Sequence, residues 1–278
     1  MIRSAPFLRA YALFPHRAIN GACARAARVE RPAWLVDAAT RAWVRRDGID
    51  LSDFEPRRYD SLEDFFLRRL RPGARPIGDG LVAPVDGTVM GAGAIADGSR
   101  IAVKGRPMSL DRLVNGGGRH DLDLSPFAGG VYLTLFLRPK GYHYVHAPLA
   151  GEIVDVRWIP GRFFPQNEDA LDRIDRVYER NERAVLRLRT SAGPEILMVM
   201  VAASVVGGIH VRGIDDVKQP GAIPLQRGVA KGDEIGHFSF GSTVVTLLPP
   251  VLTGTFAPAI GTVFQMGEAL APGPRGAP

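Results

Sequence analysis

The sequence predicts an α+β fold that is mainly β, a sandwich of short strands preceded by an N-terminal helical segment. Two observations carry this prediction. Residues 1–72 are rich in Ala, Arg and Leu, whereas from about residue 81 the chain consists of short apolar or alternating runs separated by Gly and Pro. We therefore expect a basic, amphipathic helical segment at residues 1–72, a β-rich domain at residues 73–270 and a loose tail at residues 271–278.

Helix signals recur through the N-terminal segment. Pro32 suits the first turn of a helix, and the sequence Ser-Leu-Glu-Asp at residues 61–64 is a capping-box pattern before an apolar run. The Arg-Pro-Gly sequence at residues 71–73 predicts the end of the last helix.

The positive charge of the chain is concentrated in its first 46 residues. Nine arginines and no lysine stand there against Glu30 and Asp37, so this stretch carries +7 and the remainder −1 of the net charge of +6. Interleaved apolar residues suit an anionic lipid surface, although nucleic acid would attract the same charge. An ordinary amphipathic appendage with solvated arginines is the alternative. The apolar residues are Phe7, Leu8, Tyr11, Leu13, Phe14, Trp34, Leu35, Trp43 and Val44.

A repeated pattern supports the β prediction. Residues 83–89 and 147–153 share the pattern A-P-x-x-G-x-(V/I). Together with residues 231–236 they resemble the turn-and-strand pieces of biotinyl/lipoyl-type domains, so we expect repeated halves similar to a barrel-sandwich hybrid. The repeat predicts architecture and not chemistry.

Composition excludes several classes of protein. The single cysteine, Cys23, excludes an intrachain disulfide framework and a cysteine-based zinc site. No apolar run reaches the roughly 18 to 20 residues of a membrane span, and the N-terminus lacks a signal-peptide pattern. We expect a protein that is cytosolic or lies on a membrane surface.

The sequence Gly241-Ser242-Thr243 interrupts an apolar strand pattern near the C-terminus. Gly-Ser is common in turns, which gives a structural explanation. Alternatively, glycine permits backbone conformations in which the Ser242 hydroxyl approaches the preceding carbonyl carbon.

Two histidines, His143 and His146, follow an apolar strand. A three-residue spacing places side chains on opposite faces of a regular strand, so either the backbone turns or the two histidines face different surroundings. Zinc is one alternative, but no third His or Cys stands at ligand spacing nearby, so we expect no metal.

Asp86 occupies the turn of the first repeat, where a turn aspartate often bonds its own backbone. Asp86 could, however, act as the acid of a set in which a histidine from residues 143–146 is the base and Ser242 is the hydroxyl. Nucleophilic serine chemistry uses such a set. A Ser-His-Asp hydrolase would use the same set, although the pattern G-x-S-x-G is absent around Ser242.

Several motifs stand in the order seen in phosphatidylserine decarboxylase proenzymes, which the chain resembles over roughly residues 55–265. The most telling are Gly-Ser-Thr at residues 241–243 and Tyr-His-x-Val-His at residues 142–146. One departure is Gly141, where the family usually has an acidic residue. The other matching stretches are residues 61–66, 72–76, 83–87, 160–161, 180–183, 206–207 and 236–243.

The resemblance implies that the chain cuts itself between Gly241 and Ser242. His146, held by Asp86, would deprotonate Ser242, and residue 242 would become a covalent pyruvoyl group, the one cofactor expected. The products would be a large chain, residues 1–241, and a small chain, residues 242–278, which form a heterodimer whose further dimerisation stays open.

The resemblance also implies the reaction. The pyruvoyl ketone at residue 242 would form a Schiff base with phosphatidylserine, take up the electrons released with CO2, and give phosphatidylethanolamine. His143 is assigned to this decarboxylation. Pyridoxal phosphate is not expected, because none of the four lysines stands in a recognisable context for it. These lysines are Lys104, Lys140, Lys218 and Lys231.

Two classes of function therefore compete. One is this decarboxylase, attached peripherally to the cytoplasmic side of the cell membrane, with phosphatidylserine and an anionic membrane surface as partners and no nucleic acid. The other is a non-catalytic biotinyl/lipoyl-like binding module with a basic membrane arm.

Overall fold

The structure, a computed structural model, describes residues 16–95, 100–103, 105–117, 122–204, 208–214, 220–239, 242–252 and 258–270. The predicted tail at residues 271–278 lies outside these ranges. The helices are α1 (His16–Ala27), α2 (Ala33–Asp47), α3 (Leu62–Phe66), α4 (Leu110–Asn115), α5 (Glu168–Arg173) and α6 (Val177–Arg180). Single 3-10 turns span Ser125–Phe127 and Pro250–Leu252.

The described strands all lie in the β-rich domain. They are β1 (Gly87–Ala94), β2 (Arg100–Val103), β3 (Arg106–Ser109), β4 (Val131–Leu137), β5 (Tyr144–His146), β6 (Gly151–Ile159), β7 (Arg183–Thr190), β8 (Glu195–Ala202), β9 (Ile209–Val211), β10 (Gly221–Val229), β11 (Glu234–Phe238), β12 (Ser242–Leu248) and β13 (Val263–Phe264).

These strands form three antiparallel sheets. The largest has eight strands in the order β10-β6-β7-β8-β12-β4-β1-β13, a second has the order β5-β11-β9, and β2 pairs with β3. The predicted α+β, mainly β class is confirmed. The finer expectation of a sandwich with barrel-sandwich-hybrid-like halves stays a prediction.

Apolar side chains cover both faces of the eight-stranded sheet. One face belongs to the larger hydrophobic core, which also contains Val145, Ile209 and Phe238 from the three-stranded sheet. The other face belongs to a second core, which takes in Leu113 of α4 and Tyr178 of α6. Because both faces are covered, the inner strands β8 and β12 have continuous apolar runs instead of alternation.

The two copies of the sequence repeat each lead into a strand, at Gly87 of β1 and Gly151 of β6. A Cβ atom at Gly151 would lie 2.1 Å from the carbonyl oxygen of Arg189 on β7. The predicted turn-and-strand role of the repeat is therefore confirmed, and at Gly151 the neighbouring strand leaves room for glycine alone.

The N-cap half of the capping-box prediction at Ser61 is confirmed, since its Oγ accepts a hydrogen bond of 3.0 Å from the Asp64 backbone N–H at the start of α3, whereas the Asp64 carboxylate accepts from the Asp60 backbone N–H. The predicted helix end at residues 71–73 is wrong, because α3 ends at Phe66. Tertiary contacts explain the earlier end. The Tyr144 hydroxyl donates to the Leu67 carbonyl, which therefore has a partner outside the helix.

The apolar residues of the N-terminal segment divide into two groups. Trp43 packs inward against Phe65, with ring centroids 5.4 Å apart. Trp34 and Leu35 face solvent, with 68% and 49% of their surface exposed. The predicted apolar residues at positions 7–14 lie outside the described residues. In the part of the chain that the structure covers, no helix is long and apolar enough to cross a membrane.

A buried arginine joins the second core to the sheet. Arg183 of β7 is 1% exposed, and its guanidinium donates to the carbonyls of Arg112, Leu113 and Asn181 at 2.6 to 2.7 Å. Burial lowers the pKa of Arg183 to about 10, so the group remains charged near neutral pH. It supplies a donor to the Leu113 carbonyl at the end of α4 and a second donor to the Arg112 carbonyl, which also accepts from the Gly116 backbone N–H at 3.1 Å.

Replacing Arg183 with methionine should lower the free energy of unfolding by about 3–5 kcal/mol, because three buried carbonyls lose a charged donor. Urea denaturation of the purified variant measures this loss. Arg189→Met is the matched control on the same strand, where a half-exposed side chain pairs with Glu195 and should cost less than about 1 kcal/mol. Equal losses from the two variants would contradict this account of the buried arginine.

Candidate active site

Ser242 is the first residue of β12, an inner strand of the eight-stranded sheet. It pairs with Ala202 of β8 on one side and with Leu137 of β4 on the other. Its side chain is fully buried, and its Oγ has no hydrogen-bond partner among the residues that the structure describes. Gly241, the other half of the predicted cleavage site, lies outside the described residues. The structure therefore shows Ser242 as a strand residue instead of part of a turn.

The Ser242 side chain points toward the larger core. Its cross-strand partners Leu137 and Ala202 belong to that core, whereas Val201, the partner of Thr243, belongs to the second core. Directly paired residues share a face of the sheet, and successive residues alternate between faces. The Oγ atom therefore lies in the layer between the eight-stranded and three-stranded sheets.

His143 faces the same side of β5 as Val145, a residue of the larger core. It is fully buried and stacks on Phe66 of α3 with a centroid distance of 3.8 Å. Neither ring nitrogen makes a hydrogen bond of good geometry. Burial, helped by the charge of Arg68, lowers the pKa of His143 to about 3, although the nearby carbonyls of Pro139 and Arg138 act in the opposite direction. The imidazole is therefore neutral at physiological pH.

His146 lies on the opposite side of β5 and has two hydrogen-bond partners. Its Nδ1 is 2.8 Å from the Gly232 carbonyl oxygen, and its Nε2 is 2.9 Å from the Tyr142 hydroxyl. Because a carbonyl only accepts, Nδ1 carries the proton and Nε2 accepts from Tyr142. Burial lowers the pKa of His146, while the Gly232 carbonyl and the charges of Glu234 and Asp86 raise it less strongly. The expectation that the two histidines face different surroundings is confirmed.

Asp86 is held by an arginine. Its two carboxylate oxygens accept hydrogen bonds of 3.1 and 2.7 Å from Arg75, and one of them also accepts from the Met266 backbone N–H at 2.7 Å. Arg75 in turn binds Asp53 at 2.7 Å. Asp86 therefore bonds the backbone of a distant residue, and its negative charge is fixed in place.

The structure brings the predicted acid and base close together without a direct hydrogen bond between them. The His146 backbone N–H donates to the Pro84 carbonyl at 2.9 Å, which places His146 beside the turn that contains Asp86. The bonding positions of the two side chains are filled by Arg75, Met266, Gly232 and Tyr142, so the three hydrogen-bonded groups of a triad are not joined in this structure.

A buried amide holds the residue after Ser242. Gln166 accepts from the Thr243 hydroxyl at 2.7 Å and donates to the Ala202 carbonyl at 2.8 Å. Asn181 donates to the same carbonyl at 2.9 Å. Because Ala202 is the cross-strand partner of Ser242, these contacts fix both strands at the position of the serine.

Sequence reasoning predicted no role in the site for Arg75, Gln166 or Tyr142. Tyr142 had a usable signal, since residues four apart in an extended segment share a face and Tyr142 stands four before His146. Arg75 and Gln166 had none, because their partners Asp86 and Thr243 are distant in the sequence.

Gly141 is the position at which the chain departs from the pattern of the family that it resembles. Main-chain carbonyl groups at this position contact the positively charged guanidinium of Arg68. The Gly141 carbonyl accepts a 2.7 Å hydrogen bond from Arg68, which also binds the carbonyls of Lys140 and Phe65. Arg68 is 1% exposed, and burial lowers its pKa to about 10. The Gly141 main chain therefore belongs to the hydrogen-bond network around the Arg68 guanidinium.

A cavity of about 450 Å³ lies beside the start of β12. Thr88 and Phe136 line it, and Phe136 is the cross-strand partner of Thr243. Arg138 and Lys140 contribute positive charge to its wall.

A metal ion or a lysine-bound cofactor would need suitable ligands among the described residues. Within the described ranges, no three His, Cys, Asp or Glu side chains form a group suited to a metal ion. Lys231 donates to the Gly78 carbonyl at 2.7 Å, and Lys104 and Lys218 lie outside the described residues. The unpartnered Oγ of Ser242 fits a residue whose hydroxyl is consumed when a pyruvoyl group forms.

Comparison with known proteins shows similarity over most of the chain. The family described as Phosphatidylserine decarboxylase matches residues 62–272. A protein from Chromobacterium violaceum named phosphatidylserine decarboxylase proenzyme is 36% identical over 252 residues, which cover 85% of this chain and 88% of the relative. The protein of the same name from Bordetella bronchiseptica is 33% identical over 282 residues, which cover 95% of this chain and 93% of the relative.

A third relative of that name, from Anaeromyxobacter, is 36% identical over 257 residues, which cover 88% of this chain and 89% of its own. Full-length similarity of this kind, together with the buried serine at the Gly-Ser-Thr motif, leads to one conclusion: the chain belongs to the phosphatidylserine decarboxylase family.

Proposed function

We propose that this chain converts phosphatidylserine to phosphatidylethanolamine and CO2 with a pyruvoyl group that it makes by cutting itself between Gly241 and Ser242. The observation that carries the proposal is the state of Ser242, a fully buried serine on an inner strand whose Oγ has no hydrogen-bond partner. Leaving a buried hydroxyl unpartnered is costly, and a reaction at that atom explains why the chain retains it.

Self-cleavage begins when the Ser242 Oγ attacks the Gly241 carbonyl carbon and gives its proton to a base. The peptide C–N bond breaks, the nitrogen of residue 242 takes up a proton, and an ester links the two residues. Loss of the Cα proton of residue 242 then expels Gly241 as a carboxylate and leaves dehydroalanine at the new N-terminus. This enamine becomes an imine, which water hydrolyses to the pyruvoyl ketone and ammonia.

His146 is the proposed base. Its pKa is lowered by burial, so the imidazole is neutral at pH 7 and its Nε2 lone pair can accept a proton. In the structure the Tyr142 hydroxyl donates to that lone pair, and His146 lies on the side of β5 that faces away from the larger core. Cleavage therefore requires a rearrangement that frees Nε2 from Tyr142 and brings it to the Ser242 Oγ. Asp86, fixed by Arg75, stabilises the imidazolium through its charge, which already acts on His146.

His143 is assigned to the decarboxylation step. It is fully buried and neutral, and it lies against the ring of Phe66. The pyruvoyl group, once formed, supplies a ketone that binds the substrate amine and takes up the electrons released with CO2. A neutral imidazole can donate its N–H to the substrate carboxylate and orient it, and it can return a proton to the substrate carbon only after taking one up from another group.

Peripheral attachment to the cytoplasmic side of the cell membrane is proposed from the N-terminal segment. Its excess of arginine and the exposed Trp34 and Leu35 of α2 combine charge attraction to anionic lipid with apolar contact.

Self-cleavage should divide the purified protein into residues 1–241 and a chain of 37 residues with a blocked N-terminus. Intact-mass measurement tests this directly. Ser242→Ala should remain a single chain, because its side chain has no nucleophile. Ser239→Ala is the matched control, since it removes another buried hydroxyl three residues away and should still be cut. Two chains of unchanged length from Ser242→Ala would refute the mechanism.

Substitution of the two histidines should affect two different steps, self-cleavage and decarboxylation. His146→Ala should remain uncut, because Ser242 loses its base. His143→Asn should still be cut, yet release CO2 from phosphatidylserine about 10² to 10⁴ times more slowly, the usual contribution of a positioned acid or base. Gel analysis and CO2 release decide the outcome. A His143→Asn protein that is cut and fully active would return His143 to a packing role against Phe66.

Removing residues 1–46 should abolish sedimentation with vesicles of anionic phospholipid, because the deletion takes away the charge excess together with the exposed apolar side chains. Trp34→Ala should weaken the part of the binding that resists high salt. Val251→Ala, which removes an equally exposed apolar residue from the β-rich domain, is the control. Unchanged sedimentation of the deletion variant would contradict the assignment.

A further inference from the structure

We propose that a cavity in the N-terminal helical segment binds the phosphate of an anionic phospholipid headgroup at a site separate from Ser242. The cavity has a volume of about 370 Å³ and lies between α2 and the loop that precedes α3. Four arginines line it, Arg41 and Arg45 from the helix and Arg57 and Arg58 from the loop, against one carboxylate, Asp37. Positive charge therefore dominates the wall.

Two of the four arginines have carboxylate partners. Arg57 binds Asp64 at 2.5 and 2.8 Å, and Arg58 binds Asp37 at 2.9 and 3.1 Å. Arg41 and Arg45 make no ion pair or hydrogen bond with any residue in the described ranges. Residues 1–15 contain no Asp or Glu and so have no acidic side chain to neutralise this pair.

The two unpaired arginines are placed to bind one ligand together. Arg41 and Arg45 stand one helical turn apart on α2, so their guanidinium groups lie on the same side of the helix. Guanidinium groups bind phosphate oxygens in a forked geometry that a lysine does not offer. A phosphate with one or two negative charges would therefore balance this side of the cavity.

A third group points to an anionic, hydrogen-bond-accepting ligand. Thr40 lines the cavity, and its Oγ is buried without a hydrogen-bond partner. A buried hydroxyl normally finds an acceptor, and a phosphate oxygen held by Arg41 would supply one.

The source of the phosphate is inferred from the rest of α2. Trp34 is 68% exposed and stands seven residues before Arg41, which puts both on one side of the helix about 10 Å apart along its axis. Tryptophan favours the interfacial layer of a membrane, where lipid headgroups lie. A free phosphate ion would explain the arginines and Thr40, but only a lipid also explains the exposed Trp34.

The test uses the full-length protein and vesicles of phosphatidylcholine with or without phosphatidylglycerol, a lipid whose headgroup has no amine to react. Arg41→Gln/Arg45→Gln should weaken binding to the phosphatidylglycerol vesicles by at least about tenfold. Thr40→Val, which leaves the charge unchanged, should weaken it about three- to tenfold, and Thr40→Ser should restore it.

Arg25→Gln/Arg31→Gln is the matched control, because both residues are exposed on the same segment and lie outside the cavity. It removes the same charge and should lower the affinity for the phosphatidylglycerol vesicles less than threefold. Equal losses from the two double variants, with no effect of Thr40→Val, would show diffuse charge attraction and overturn the proposal. If inorganic phosphate saturates the cavity while Thr40→Val leaves vesicle binding unchanged, the ligand is soluble phosphate and the lipid assignment is wrong.

The vesicle-binding result does not depend on the proposed reaction at Ser242. Chain cleavage and thermal melting of every cavity variant should match those of the parent protein, which separates loss of the site from misfolding. A parent protein that is never cut would count against the proposed function and leave the vesicle result standing.

Discussion

The pairing of β12 between β8 and β4 is the constraint on which the rest of the structure depends. All seven residues of β12 are buried, so cross-strand neighbours on both sides fix the position of each side chain. Ser242 stands at the first position of the strand, where its hydroxyl points into the layer between two sheets. Gln166 and Asn181 hold the adjoining backbone from the opposite face. A reactive serine in such a position moves little relative to its neighbours, which is the requirement for attack on an adjacent carbonyl carbon.

The two histidines lie in different chemical environments, one just before β5 and the other at its end. His143 lies inward against Phe66 and has no hydrogen bond of good geometry, whereas His146 lies outward with a partner on each ring nitrogen. Burial is the largest influence on both and lowers the pKa of each, so both imidazoles are neutral near pH 7. A neutral imidazole can accept a proton, and the difference between the two therefore lies in which atoms they can reach.

The N-terminal segment is part of the site as well as a membrane-facing element. Phe66 stacks on His143, Arg68 binds the carbonyl of Gly141, and Asp53 binds Arg75, which fixes Asp86. The predicted division at residue 72 stays a prediction, but these contacts cross it. The helices that carry exposed Trp34 and the arginine-lined cavity are thus joined through α3 to the residues around Ser242. These contacts connect the helices proposed to face the lipid surface with the buried site around Ser242.

The sequence by itself determined the mainly β class, the cap at Ser61, the strand starts at the repeated glycines and the identity of the residues around the Gly-Ser-Thr motif. These features depend on local periodicity, turn chemistry and short motifs, which are properties of neighbouring residues. Only the tertiary structure decided the partners of Asp86 and His146, the amide that holds Thr243 and the end of α3 at Phe66. Each of these depends on groups far apart in the chain, such as Arg75 with Asp86 and Tyr144 with Leu67, and sheet register and packing bring such groups together in a way that sequence spacing does not encode.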